Sequence, residues 1–338
     1  MSRENIFEAI ENDIMKADIC ETEKNKMLKN VMKLKEKKVN IMITGATGCG
    51  KSSTINALFD TEVAKVGVGV DPETMEIEKY TLDNLVLWDT PGLGDGKEAD
   101  NRHAKNIIKK LSELDSDGTA LIDLVLVILD GGTRDLGTSY ELINNVIIPN
   151  LGKDKESRIL VAINQADMAM KGRNWDFENN KPNKQLKEFL ENKVVSVKNR
   201  VFEATGVKIE PIYYSAGYKE EGEVQSRPYN LSKLLYYIVK ATPSEKRVIY
   251  TNNVNMDAQM WEDDDELLDY AEETRKSMLE SIVEGASKGA ELGEEVGSML
   301  FGETGRKIGK VLGGTVGAAV TIGKEIVKHI PIISGWFW

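Results

Sequence analysis

The sequence predicts an α/β fold: a mainly parallel sheet covered by helices on both faces, with an N-terminal helical segment and a C-terminal helical, glycine-rich tail. Three observations carry this expectation. A glycine-rich turn, Gly45-Ala46-Thr47-Gly48-Cys49-Gly50-Lys51-Ser52, joins an apolar run at 39–44 to a helical stretch beginning near Lys51. Short apolar runs recur at 85–88, 124–129, 159–163 and 212–214, with helical stretches between them. Helix-period sequence precedes residue 38, and glycine falls on every fourth position at 285–297 and again at 305–317.

Residues 1–37 form the first segment. Ile6, Ile10, Ile14, Met27, Leu28, Val31 and Leu34 make an apolar stripe among Glu and Lys, and no Pro or Gly interrupts 2–37. One or two helices are expected there, packed on the neighbouring domain or, alternatively, on another helix in self-association.

A strand, a glycine-rich turn and a helix N-terminus then form an anion cradle at 39–52. Backbone N–H groups point at a β-phosphate and the helix dipole favours negative charge. Lys51 reaches the β- and γ-phosphates and Ser52 ligates Mg²⁺. The candidate phosphate-binding residues are Gly45, Ala46, Thr47, Gly48, Cys49, Gly50, Lys51, Ser52 and Ser53.

The run 85–88 ends in Asp89-Thr90-Pro91-Gly92. An Asp at a strand end can meet Mg²⁺ through water. The N–H of Gly92 can sense a γ-phosphate, and the glycine can hinge the segment after it. The run 159–163 ends in Asn164-Gln165-Ala166-Asp167. A carboxylate accepts from both the N1–H and the exocyclic amine of guanine, a donor pair that adenine lacks, so Asp167 implies guanine. Asn164 braces the loops. Ser215-Ala216 follows 212–214, and the N–H of Ala216 is expected to face the guanine carbonyl oxygen. The implied ligands are GTP or GDP with Mg²⁺.

In the order GATGCGKSS, WDTPG, NQAD and YSAG, the chain resembles the translation-factor-related GTPases, and among them the Era-like ribosome-binding GTPases, over roughly 38–240. The resemblance implies a P-loop GTPase domain at 38–241 that hydrolyses GTP to GDP and phosphate. Gln165 stands where the family has Lys; it keeps packing and a hydrogen bond but not the charge. The family also needs a first-switch threonine whose hydroxyl meets Mg²⁺ and whose N–H meets the γ-phosphate. Thr74, before a strand expected at 75–80, is the choice, with Thr81 second. The implied catalytic set is Lys51, Thr74 and Gly92, and the metal set Ser52, Thr74 and Asp89. Some members of the class place Gln directly after the glycine of DxxG. Here that residue is Leu93, which cannot orient water. Slow basal turnover, raised by a separate activating protein or by self-assembly, follows. Arg134, Arg102 and His103 are candidates for added charge, although the plain reading of each is a surface charge.

The chain has 338 residues, enough for one nucleotide domain and a smaller appendage. Its formal charge of -11 opposes RNA and no DNA partner is expected, while the family resemblance implies the ribosome as a partner. Two cysteines, Cys20 and Cys49, and two histidines, His103 and His329, support neither a disulfide framework nor a zinc site. Arg3, Glu4 and Glu8 break any signal-peptide pattern, so a cytoplasmic location is expected.

Residues 242–280 read as an acidic linker or helix, and the plain reading of 257–273 is a solvated segment. Residues 281–338 form the glycine-rich apolar region. Gly285, Gly289, Gly293 and Gly297, then Gly305, Gly309, Gly313 and Gly317, put glycines on one helical face. Such faces associate in lipid, and in water they need packing to stay helical. The charge-free run 311–323 is short of the roughly 20 residues that span a bilayer. Trp336-Phe337-Trp338 suits an interfacial anchor, so peripheral membrane contact through the tail is one reading and packing on protein the other. Three functional classes result: a regulatory GTPase switch, a membrane-associated assembling (dynamin-like) GTPase, and a ribosome- or RNA-associated assembly GTPase.

Overall fold

The structure, a computed structural model, describes residues 6–16, 20–59, 76–92, 94, 96–218 and 226–287. Thr74, Leu93 and the glycine-rich tail beyond Ser287 lie outside them.

Six strands form one sheet in the order β2-β3-β1-β4-β5-β8. They are β1 (Val39–Gly45), β2 (Glu78–Leu82), β3 (Leu85–Asp89), β4 (Leu124–Asp130), β5 (Ile159–Asn164) and β8 (Ile212–Tyr213). A separate ribbon pairs β6 (Trp175–Asp176) with β7 (Lys181–Pro182). All pairings in the large sheet are parallel except β2 with β3. β1 and β5 are buried at every position, as befits strands covered on both faces. β2 is an exposed edge carrying Glu78, Lys79 and Thr81, residues that discourage further pairing.

β2 starts later than the strand expected at 75–80. The turn at Asp83, in the left-handed region at φ 48°, closes a tight hairpin that pairs Leu82 with Leu85 and Glu78 with Asp89. Thr81 therefore sits opposite Val86, three register steps from the end of β3.

The two sheet faces bury separate cores. Ile41, Ile43, Leu85, Leu87, Leu126 and Ile128 face one side. There they meet α1 (Ile6–Lys16), α2 (Glu21–Glu36), α3 (Lys51–Phe59), α8 (Leu231–Ala241) and α9 (Tyr270–Ser287). Met42, Val125, Val127, Val161 and Ile163 face the other side. That side is covered by α4 (Lys97–Leu111), by a helical stretch at 137–150 and by α7 (Lys184–Thr205). The stretch at 137–150 is not one regular helix. α5 (Gly137–Glu141) and α6 (Ile148–Asn150) flank a π-helical turn, Leu142–Ile147. Pro149 donates no backbone hydrogen bond, and the widened turn just before it makes room for its ring. α7 is delimited cleanly: Asn183 Oδ1 accepts from the Leu186 N–H at 3.0 Å, and Gly206 ends the helix at φ 71°.

The N-terminal helices belong to the first core. Ile6, Ile10, Ile14, Met27, Val31 and Leu34 are buried in it and Leu28 is partly buried. Glu11 and Lys35 tie α1 to α2 at 2.7 Å.

The acidic run is anchored at its middle and ends in α9: Glu262, Glu266 and Asp269 are exposed, but Trp261 and Tyr270 on either side are buried. Val248, Tyr250, Val254 and Trp261 are buried, and α9 adds Met278, Leu279 and Ile282 to the same core. The carboxylates dock at the start of α8. Arg227 donates to both oxygens of Asp263 at 2.8 Å, Ser232 to Asp264 at 2.8 Å and Lys233 to Asp265 at 2.6 Å. Asn230, itself left-handed at φ 57°, donates its N–H to Asp263 O and accepts from the Asp265 N–H. A helix N-terminus favours negative charge, which is why this acidic stretch folds back rather than dissolving. A second link reaches α3. Asn255 donates to the carbonyls of Leu58 and Ala57, at 2.9 and 3.0 Å, and so fills the end of that helix. Among the described residues no helix is long and apolar enough to cross a membrane.

Candidate nucleotide-binding site

β1 lies where the strand order reverses, between β3 and β4, and ligands bind in such sheets beyond the carboxyl ends of the strands at that point. The glycine-rich loop leaves β1 there and enters α3 at Lys51. Lys51 Nζ donates to Ala46 O at 3.3 Å and Gly45 O at 3.5 Å, so its stem curls over the loop. Ser52 and Ser53, in the first turn of α3, are partly buried. Thr54 anchors that turn through Gly50 O at 2.8 Å and through the buried Tyr214 hydroxyl at 2.7 Å.

Three loops converge on this one. Asn164 Nδ2 donates to Cys49 O at 3.0 Å, while Asn164 Oδ1 accepts the Ala216 N–H at 2.9 Å. Gln165 Nε2 donates to Gly48 O at 2.9 Å. Ser215 Oγ donates to Asp167 Oδ1 at 2.7 Å, which fixes the plane of that carboxylate. Approach is close: a Cβ on Gly50, which sits at φ 88°, would lie 2.2 Å from Asn164 Nδ2. Gln165 holds a left-handed conformation at φ 58°, uncommon for a residue with a side chain. The Ala216 N–H, expected to face a guanine carbonyl, is here given to Asn164; the amide that braces the loops claims the nearest donor.

Gly92 packs on the phosphate loop from the other side. A Cβ there would fall 2.5 Å from the backbone nitrogen of Thr47 and 2.2 Å from its hydroxyl. Asp89 is 1% exposed, and neither of its carboxylate oxygens has a hydrogen-bond partner. Burial pushes its pKa up to about 6, against the pull of Lys51. A buried carboxylate without donors is costly, and a hydrated cation would satisfy it. Among the described residues no group of three or more His, Cys, Asp or Glu could hold a metal, so an ion here needs phosphate and water to complete its shell. Asp89 and Ser52 fit a shared, hydrated Mg²⁺ of that kind.

Other candidates fall elsewhere. His103 is buried against the second core, not a surface charge. Arg102 and Arg134 are exposed. Cys49 is buried and burial raises its thiol, which makes it a poor nucleophile.

Lys193 and Gly131 are functional-site neighbours that motif reading misses. Lys193 Nζ, on α7, donates to the carbonyls of Asp130, Gly131 and Thr133 at 3.1, 2.8 and 2.6 Å. One signal was available: Lys193 falls on the stripe of α7 otherwise occupied by the buried Leu186, Leu190, Val197 and Val201. A lysine on an apolar stripe has a buried task.

Comparison with known proteins agrees with this geometry. Residues 40–165 match the family described as 50S ribosome-binding GTPase. The chain is 29% identical over 157 residues to the uncharacterised protein YkfA of Escherichia coli K12, covering 45% of this chain and 50% of that one. It is 27% identical over 173 residues to YfjP of the same organism, covering 50% and 55%. The chain thus spans about half the length of these relatives. A loose similarity also exists to Toc33 of Arabidopsis thaliana in complex with Mg²⁺ and GMPPNP, with TM-score 0.40, 16% identity and coverage of 62% and 83%. The match to that family spans residues 40–165, and the sheet order and glycine-rich loop of this chain are those of the α/β P-loop GTPase fold.

Proposed function

We propose that this chain is a GTP-hydrolysing conformational switch with a slow basal rate, accelerated by a partner or by self-assembly. The observation that supports the guanine assignment is the linkage at 164–167: Asn164 and Gln165 donate to Cys49 O and Gly48 O of the phosphate loop, and Ser215 Oγ donates to Asp167 Oδ1. In this reading the loop N–H groups of 45–50 and Lys51 hold the phosphates and oppose the charge that develops on them. Asp167 accepts the two guanine donors. Ser52, Asp89 and Thr74 would hold Mg²⁺, which would neutralise phosphate charge. Gly92, pressed against Thr47, separates from or closes on the loop according to the γ-phosphate. Leu93 follows it and offers no group to orient water, so completion of the site falls to another surface.

Nucleotide choice tests the assignment. Asp167→Asn should weaken GTP by about 100-fold, the value of losing a charged, paired hydrogen bond, while xanthosine triphosphate loses far less. Equal losses for GTP, ATP and xanthosine triphosphate remove the guanine reading. GTP turnover across a protein concentration series, with and without liposomes, tests the rate. Specific activity that rises with concentration or lipid supports assembly, including the dynamin-like alternative; flat, slow turnover points to a separate activator.

The Era-like, ribosome-associated alternative is favoured by the description of the matched family. The chain's charge of -11 opposes it, and co-sedimentation with ribosomal subunits decides it.

A further inference from the structure

The loop after β4 has no assigned task, yet it is tied down at several points. Lys193 uses all three ammonium donors on it, through the carbonyls of Asp130, Gly131 and Thr133. Three carbonyls match the three donors of an ammonium, and a side-chain amide has only two. The loop is then pressed against the guanine loop. The Gly131 N–H donates to Asn164 O at 2.7 Å. A Cβ on Gly131 would lie 2.6 Å from Asn164 O and 3.0 Å from Gln165 O, so only glycine permits the contact. Asn164 and Gln165 in turn send their side chains to Cys49 O and Gly48 O. One uninterrupted path therefore runs from α7, through a lysine and a glycine, to the backbone that sets both the base loop and the phosphate loop.

We propose that Lys193 is a positioning residue for guanine-nucleotide binding. Its three ammonium donors are committed to backbone carbonyls. Its ammonium fixes residues 130–133, and that fixed loop sets the backbone of Asn164–Gln165 against the phosphate loop. The proposal rests on the reading of this site as a guanine-nucleotide site.

The test uses the full chain with GDP and GTP. Lys193→Met keeps the aliphatic stem and removes the donors, leaving three carbonyls unpaired. Its Kd for GDP and KM for GTP should rise about tenfold, the effect expected from loosening one polar anchor, with the loss in KM and Kd and not in kcat. Gly131→Ala drives the same loop off Asn164 from the other side and should give the same split. In a double-mutant cycle with Asp167→Asn, the Lys193 effect should shrink well below tenfold, because the base contact it supports is already lost. A lower melting temperature with Kd unchanged in both variants overturns the proposal, as does full additivity with Asp167→Asn. Wild-type chain that binds no guanine nucleotide overturns the underlying reading itself, a result separate from either of these.

Discussion

The loop edge of the sheet and the helical layer on its β1/β3 face use polar side chains in different ways. At the edge, Asn164, Gln165 and Ser215 link neighbouring loops through side-chain hydrogen bonds, and a carboxylate, Asp89, is buried with no hydrogen-bond partner on either oxygen. In the layer every docked carboxylate of 263–265 has a partner, and Asp265 is 2% exposed against Lys233. The edge thus keeps a buried carboxylate without a donor, whereas the carboxylates of 263–265 are each paired. A ligand-binding edge keeps unmet polar groups, and a structural layer removes them.

The largest expected effect tests the layer. Lys233→Met leaves the buried Asp265 without its counter-charge and should cost about 3–5 kcal/mol in denaturant melts, while GTP affinity at low temperature moves less than about twofold. Adding Asp265→Leu should recover most of that stability. An affinity loss as large as the stability loss would erase the distinction between the two regions.

The next effect tests the edge. Asp89 has a folded pKa of about 6 against 3.8 for the free group, so the folded state holds its proton more tightly. Its contribution to stability is fully present below 3.8 and is lost as pH rises to about 6, for a total near 3 kcal/mol. Melts of nucleotide-free wild type minus those of Asp89→Asn should show this loss between about pH 4 and 6, and Mg²⁺ with GDP should suppress it. A flat difference curve means the carboxylate is already satisfied.

A smaller effect sharpens the contrast. Lys51→Ala should weaken GTP by about 100-fold, near 2.7 kcal/mol, with little change in melting temperature without nucleotide. A melt shift of comparable size would make Lys51 a structural residue.

Much of the fold was legible because β3, β4 and β5 are short apolar runs with polar ends, and β1 is a mostly apolar run leading into the glycine-rich loop. The loop residues stood out because phosphate and base chemistry restrict residue types at fixed spacing. Their partners were not legible. Nothing in the sequence says that Ala216 gives its N–H to Asn164, or that Lys193 collects three carbonyls, because such contacts join residues far apart in the chain. The acidic run misled for a related reason. Charge density suggests solvation, and only the approach of Arg227, Ser232 and Lys233 at a helix start makes burial favourable. The start of β2 was misjudged because the hairpin turn at Asp83, not the apolar pattern, sets its register.

The end of α3 has a consequence for anyone who trims this protein. The motifs invite a cut at residue 241, just after α8. Such a fragment would lose Asn255, and with it the donors on Ala57 and Leu58, at the far end of the helix that begins with Lys51. It would also strip Tyr250, Trp261 and Met278 from the core that Ile55 and Leu58 share. A fragment that keeps the donors at the end of the phosphate-loop helix therefore runs past Asn255, and one that keeps this core filled runs through α9.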